Sequence, residues 1–193
     1  MSEILRDNLR HVLFALLLTA RIGDLATTYL MTPGLVLESN PIVRRLGWRY
    51  ALITSAVCVV PYFSAQIAVS LVVASLLVSA SNAARVWVAR TMGEEAQLEF
   101  MVTLARRGKL SHALLGVLAS AFFVVLTGCV VFLFYSRFRD WGFWIGLGIV
   151  GYGVVIGFHG SIFMVRVFQK ARTQGDTSVQ PPPKNEMQLT SHG

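Results

Sequence analysis

The chain has 193 residues, 54% hydrophobic and 14% charged, with a mean hydropathy of +0.60. Soluble domains average about 45–50% apolar and about 25% charged residues, so long uncharged runs on this background point to an integral membrane protein in contact with the lipid bilayer. The net charge of +7 and pI near 10 do not indicate nucleic acid. Most Lys and Arg residues flank apolar runs, where they orient a protein in a membrane, and no basic face with interleaved aromatics is present.

The first eight residues are short and mixed in charge. A secretory signal is one reading of Val12–Leu18 followed by Leu18-Thr19-Ala20. The leading region is not clearly basic, however, and apolar character resumes after Asp24, which favours an uncleaved span. That first span covers about 9–31, long enough to cross about 30 Å of hydrocarbon, and Thr32-Pro33-Gly34 ends it. In the loop that follows, Asn40 and Pro41 suit the cap and first position of a helix. A single helix over 48–90 would be about 60 Å long, twice what a bilayer needs. The stretch therefore divides into spans of about 48–63 and 67–90, turning near Pro61 to Gln66.

Residues 91–110 carry Glu94, Glu95, Glu99, Arg106, Arg107 and Lys109. Leu98, Met101, Val102 and Ala105 recur at helical spacing there, which predicts an amphipathic helix on the membrane surface. A fourth span follows at about 111–136 and a fifth at about 141–168. The tail, 173–193, holds Pro181-Pro182-Pro183 and is expected to be disordered. The expected fold is an all-α polytopic bundle of five spans, with four as the alternative. Five spans place Arg6, Arg10, Arg137 and Arg139 on one side. The other side has Arg44, Arg45, Arg49, Arg90, Arg106, Arg107, Lys109, Lys170, Arg172 and Lys184. That bias puts the N-terminus outside and the C-terminus in the cytoplasm, and the prokaryotic style of the chain suggests the inner (plasma) membrane.

Ionisable groups inside a span are costly and mark a functional site or an internal ion pair. Arg21, Asp24 and Thr28 share one helical face. Asn82 and Arg85 share a face with Ser75 and Ser79, near the cytoplasmic end of the third span. His112 opens the fourth span, His159 lies on the fifth, and Glu38 and Asn40 occupy the adjoining loop. Asp24, Glu38, Asn82, Arg85, His112 and His159 are expected to converge on one cytoplasm-facing polar pocket. Simpler roles stand beside this one: Asp24 pairing with Arg21 or Arg85, Thr27 and Thr28 bonded to their own helix, Asn40 as a cap, His112 solvated and His159 packed. Gly142, Gly146, Gly153, Gly157 and Gly160 form a stripe suited to close helix packing within the chain or with a second copy or another membrane protein.

No phosphate loop, nucleophile elbow or Cys-His arrangement is present. Glu94-Glu95 lacks suitably placed histidines in a following span. Cys58 and Cys129 lie in apolar runs and read as small hydrophobes. No metal motif is present, so a metal would need ligands from several helices, and no cofactor is legible.

Asp24-x-x-Thr27-Thr28 late in a first span, Glu38-x-Asn40-Pro41 after it, and Asn82 on the second helix of a hairpin carry a resemblance. Over about residues 10–90 the chain resembles an uncharacterised family of small bacterial and archaeal membrane proteins, each a three-span unit. The resemblance implies that Asp24, Thr28, Glu38, Asn40 and Asn82 act together. Arg21, Arg85 and residues 91–193 lie outside the pattern, and the family supplies no activity. The leading expectation is a non-enzymatic protein that binds or helps to move a small solute or ion. The alternatives are an assembly subunit packing through the glycine stripe, and a metal-dependent enzyme using Asp24, Glu38 and His159 on a lipid-linked substrate.

Overall fold

The computed structural model describes residues 3–38, 40–135, 137 and 140–177. Among the described residues the chain is helical with short turns, and no strand occurs. Helix α1 (Glu3–Met31) stops where Thr32-Pro33-Gly34 begins. The short α2 (Pro41–Leu46) starts behind Asn40, whose Oδ1 accepts the Ile42 N–H at 2.9 Å. The chain then runs through α3 (Arg49–Ser55), a 3₁₀ turn (Ala56–Val59) and α4 (Val60–Phe63). Three long helices and one shorter one complete the fold: α5 (Ala65–Met92), α6 (Glu94–Arg107), α7 (Leu110–Phe134) and α8 (Trp141–Thr177).

Among the described residues, four helices are long and apolar enough to cross a membrane: Asn8–Met31, Ala65–Met92, Leu110–Phe134 and Trp141–Gln174. The expected second span is not one of them. Arg49–Phe63 reaches only about 22 Å at the α-helical rise of 1.5 Å per residue, short of about 30 Å of hydrocarbon. Its interruption has local causes. Thr54 and Ser55 both bond back to the Ala51 carbonyl, at 3.2 and 2.7 Å, and such bonds bend helices. Pro61 removes a backbone donor a turn later. The expected turn narrows to Ser64, which is extended and caps α5 through the Ile67 N–H.

Side-chain contacts fix the directions of the helices. Along α1, His11 meets Tyr62, Ala20 meets Ser79 and Thr28 meets Asn82. The first helix and α5 are therefore parallel, and Arg49–Phe63 returns alongside α1, with Trp48 against Tyr29 at one end and Tyr62 against Phe14 at the other. Helices α7 and α8 are antiparallel, Val117 facing Gly160 at one end and Phe132 facing Gly146 near the other. Thus α1 packs on α5, α5 on α8 and α8 on α7.

Leu17, Ala20 and Ala68 are fully buried in this stack, while Leu76, Trp87, Leu115, Phe122 and Leu133 are exposed. Outward apolar surface on this scale suits lipid. Between helices in lipid, close packing and polar contacts replace the hydrophobic drive. The glycines supply the packing. A Cβ on Gly146 would stand 2.9 Å from the Gly128 carbonyl oxygen and from the Phe132 nitrogen. Gly153, Gly157 and Gly160 press on Val125, Ala121 and Val117, and Gly142 on the Tyr135 ring. The stripe's neighbour is α7 of the same chain.

The amphipathic α6 begins after Gly93, whose φ of +78° breaks it from α5. Its apolar face does not lie on open membrane surface. Leu98, Val102 and Ala105 are buried against Val167 and Ala171 of α8, and Val36 and Leu37 of the loop after α1 join the cluster. The expected tail is helical as far as Thr177, and its remainder lies outside the described residues.

Candidate functional site

The polar centre forms where α1 meets the interrupted segment. Arg21 donates through Nη1 to Asp24 Oδ2 at 2.5 Å and through Nη2 to Thr54 Oγ1 at 2.7 Å. Both charged side chains are about 15% exposed, so the pair lies within the protein. The i, i+3 spacing places them one above the other on α1, and Thr54, near the end of α3, presents its hydroxyl to Arg21. Arg21 Nε is buried and has no hydrogen-bond partner among the described residues. Glu38 is close enough to act electrostatically on Asp24.

One turn further along α1, Asn82 Nδ2 donates to Thr28 Oγ1 at 3.0 Å. Ser79, below it on α5, reaches the Ser75 and Ala20 carbonyls. Thr27 bonds the carbonyls of Gly23 and Asp24 in its own helix. Thr28 and Asn82 therefore meet across the α1–α5 seam, and Asp24 lies one turn before Thr28 on α1.

Other expected members stand elsewhere. Arg85 is exposed, so the partner of Asp24 is Arg21. His112 is exposed at the start of α7. His159 has a buried Nδ1 without a hydrogen-bond partner among the described residues, and its ring stands edge-on to Phe158. No group of three or more His, Cys, Asp or Glu side chains able to hold a metal occurs among the described residues. Asp24, Glu38 and His159 thus do not form one ligand set.

The loop above this seam has its own anchors. Glu94, at the start of α6, accepts from the Thr32 hydroxyl at 2.5 Å, the Gly34 N–H at 2.7 Å and the Val36 N–H at 3.2 Å. Thr32 is 1% exposed and accepts in turn from the Leu37 N–H. Arg166 of α8 donates to the carbonyls of Glu38 and Val36. Between these anchors Leu35 adopts φ +56°, a conformation uncommon outside glycine. Glu38 Oε1 accepts the Asn40 N–H at 2.8 Å, and Asn40 caps α2. Sequence reasoning missed Thr32, Thr54, Glu94 and Arg166 as members of this assembly. Arg166, a lone charge in an apolar run, carried the same signal that marked Asp24.

A separate cleft of about 450 Å³ opens where the ends of α6, α7 and α8 meet, lined in part by Arg106, Lys109, Phe168 and Arg172. None of the residues expected in the polar pocket lines it. Comparison with protein families, with characterised proteins and with solved structures returns no match.

Proposed function

We propose that this is a multi-pass protein of the inner (plasma) membrane whose intramembrane polar site binds or helps to move a small solute or ion. The observation that carries the reading is Arg21, which pairs with Asp24, reaches Thr54 and keeps Nε buried without a partner among the described residues. Buried donors are nearly always satisfied, and an open one in a polar site marks a place for a water or a ligand. Ionisable groups at membrane depth are functional by default. Irregular backbone at that depth is tolerated where it is buried in protein or lines a polar cavity, as in the interrupted helices of transporters. The 3₁₀ turn at Ala56–Val59 directly follows the stretch that carries Thr54.

In this reading Asp24 is the anionic or protonatable group and Arg21 its counter-charge. Thr28 and Asn82 are neutral ligands one turn nearer the loop, and Glu38 and Asn40 stand at the mouth. Five crossings fit the parallel course of α1 and α5, with Arg49–Phe63 as a short, interrupted crossing. The basic residues of the loop after α1, of α6 and of the end of α8 place that end in the cytoplasm. An enzyme that uses Asp24, Glu38 and His159 as metal ligands ranks behind this reading, since the three form no cluster. Near-stoichiometric metal that is lost in Asp24→Asn would reverse the order.

The test is flux into proteoliposomes, read with a pH dye and with Na⁺- and K⁺-sensitive dyes. Asp24→Asn is expected to abolish a flux that the wild type shows, and Asn82→Ala to weaken it. Unchanged flux in both variants, with both normally folded, would sink the reading.

A further inference from the structure

The cleft at the junction of α6, α7 and α8 belongs to neither the polar seam nor the loop anchors. Three cations, Arg106, Lys109 and Arg172, stand around it, and none of its lining residues among those described is acidic. Its apolar lining comes from Leu110, Phe168 and Ala171. Arg106 is held across the gap, its Nη2 donating to Gln174 of α8 at 2.9 Å. The first turn of α7 has no side-chain cap, and Leu110, its first residue, lines the cleft. The positive end of a helix dipole therefore adds to the three side chains. The cleft also sits where two membrane-length helices end, since α7 begins there and the apolar stretch of α8 closes at Gln174.

We propose that this cleft binds the phosphate headgroup of an anionic phospholipid. Basic pockets between membrane helices on the cytoplasmic side suit such headgroups. The cations meet the phosphate, while Phe168 and Leu110 lie against the glycerol and first methylenes. Acyl chains continue along the exposed apolar side chains of α7, such as Leu115 and Leu118. This position favours a lipid over free phosphate, which would gain nothing from the apolar lining. The inference rests on the membrane reading and is independent of the Asp24 site.

The experiment is native mass spectrometry of the full chain released from nanodiscs of phosphatidylcholine mixed with phosphatidylglycerol. The wild type is expected to retain phosphatidylglycerol preferentially. Each cation near an anionic headgroup is worth about fivefold in affinity. Combining Arg106→Gln, Lys109→Gln and Arg172→Gln should therefore lower the preference by about a hundred-fold. Arg44→Gln with Arg45→Gln, at the same end of the molecule, should leave it unchanged. Equal retention of the two lipids by the wild type overturns the proposal without any variant. So does a loss of preference in the Arg44 and Arg45 variant equal to that in the cleft variant. Inorganic phosphate that raises the melting temperature in neutral detergent as much as phosphatidylglycerol does would overturn the lipid assignment.

Discussion

Arg21 and Asp24 sit one turn apart on α1, and their spacing made the pair one of two readings, with Arg85 as the other partner; the exposure of Arg85 leaves Arg21. The third partner, Thr54, was not legible, because it lies 33 residues further along the chain, on a separate helix. Glu94 was further out of reach. The groups it accepts from lie 62, 60 and 58 residues earlier in the chain, and no local pattern links them. Asn40 was readable in full, since capping is a property of neighbouring residues. The ion pair itself makes a prediction. Breaking a buried pair by removing one partner costs about 3–5 kcal/mol, whereas replacing both by apolar residues is near neutral. Arg21→Leu should lower the melting temperature in detergent more than Arg21→Leu combined with Asp24→Leu. Equal losses in the two variants would mean that the charges are not coupled in the folded protein.

Elements show a different balance of legibility. The four long apolar helices among the described residues follow from run length, because a bilayer fixes how many apolar residues a crossing needs. The glycine stripe of α8 follows from the 3.6-residue period, which identifies a face and leaves its neighbour open. The contacts name α7 as that neighbour, so the stripe closes a helix pair within the chain. For α6 the periodicity of Leu98, Val102 and Ala105 was equally clear, yet those residues are buried on α8, which periodicity alone does not distinguish from lipid. The tightness of the α7–α8 seam can be tested against a control on the same helix. A side chain at Gly146 meets the backbone of Gly128 and Phe132, which cannot rotate away, while one at Gly151 meets nothing within 4 Å. Overpacking costs about 1–3 kcal/mol where the surroundings can adjust, and here they are main chain. A Cβ on Gly160 stands 3.9 Å from that of Val117, a spacing that a disulfide bridges, so Gly146→Leu should abolish cross-linking between cysteines placed at Val117 and Gly160, with Gly151→Leu cross-linking like the parent. Full cross-linking in Gly146→Leu would show that the two helices are not held through this contact.

At the scale of the whole molecule, the parallel course of α1 and α5 decides how the chain threads. Two consecutive membrane-length helices run parallel only if the chain returns between them, that is, with an odd number of crossings in between. The contacts of Trp48 with Tyr29 and of Tyr62 with Phe14 place the two ends of that return at opposite ends of α1. If Arg49–Phe63 is the return, α1, α5 and α8 point one way, and α7 and the short segment point the other. The termini then lie on opposite faces of the membrane. In the proposed orientation, which follows the bias of basic residues in α6 and at the end of α8, the C-terminus is cytoplasmic and the basic cleft would face the anionic leaflet. Fusions report this directly. Alkaline phosphatase at the N-terminus should be active, and a fluorescent protein at the C-terminus should fluoresce. Both reporters on one side would mean an even number of crossings, and Arg49–Phe63 would then lie within one face of the membrane. Opposite sides with the N-terminus inside would keep five crossings and reverse the orientation. The Asp24 seam and the basic cleft would then open to the exterior, where the lipid proposed for the cleft would have to come from the outer leaflet.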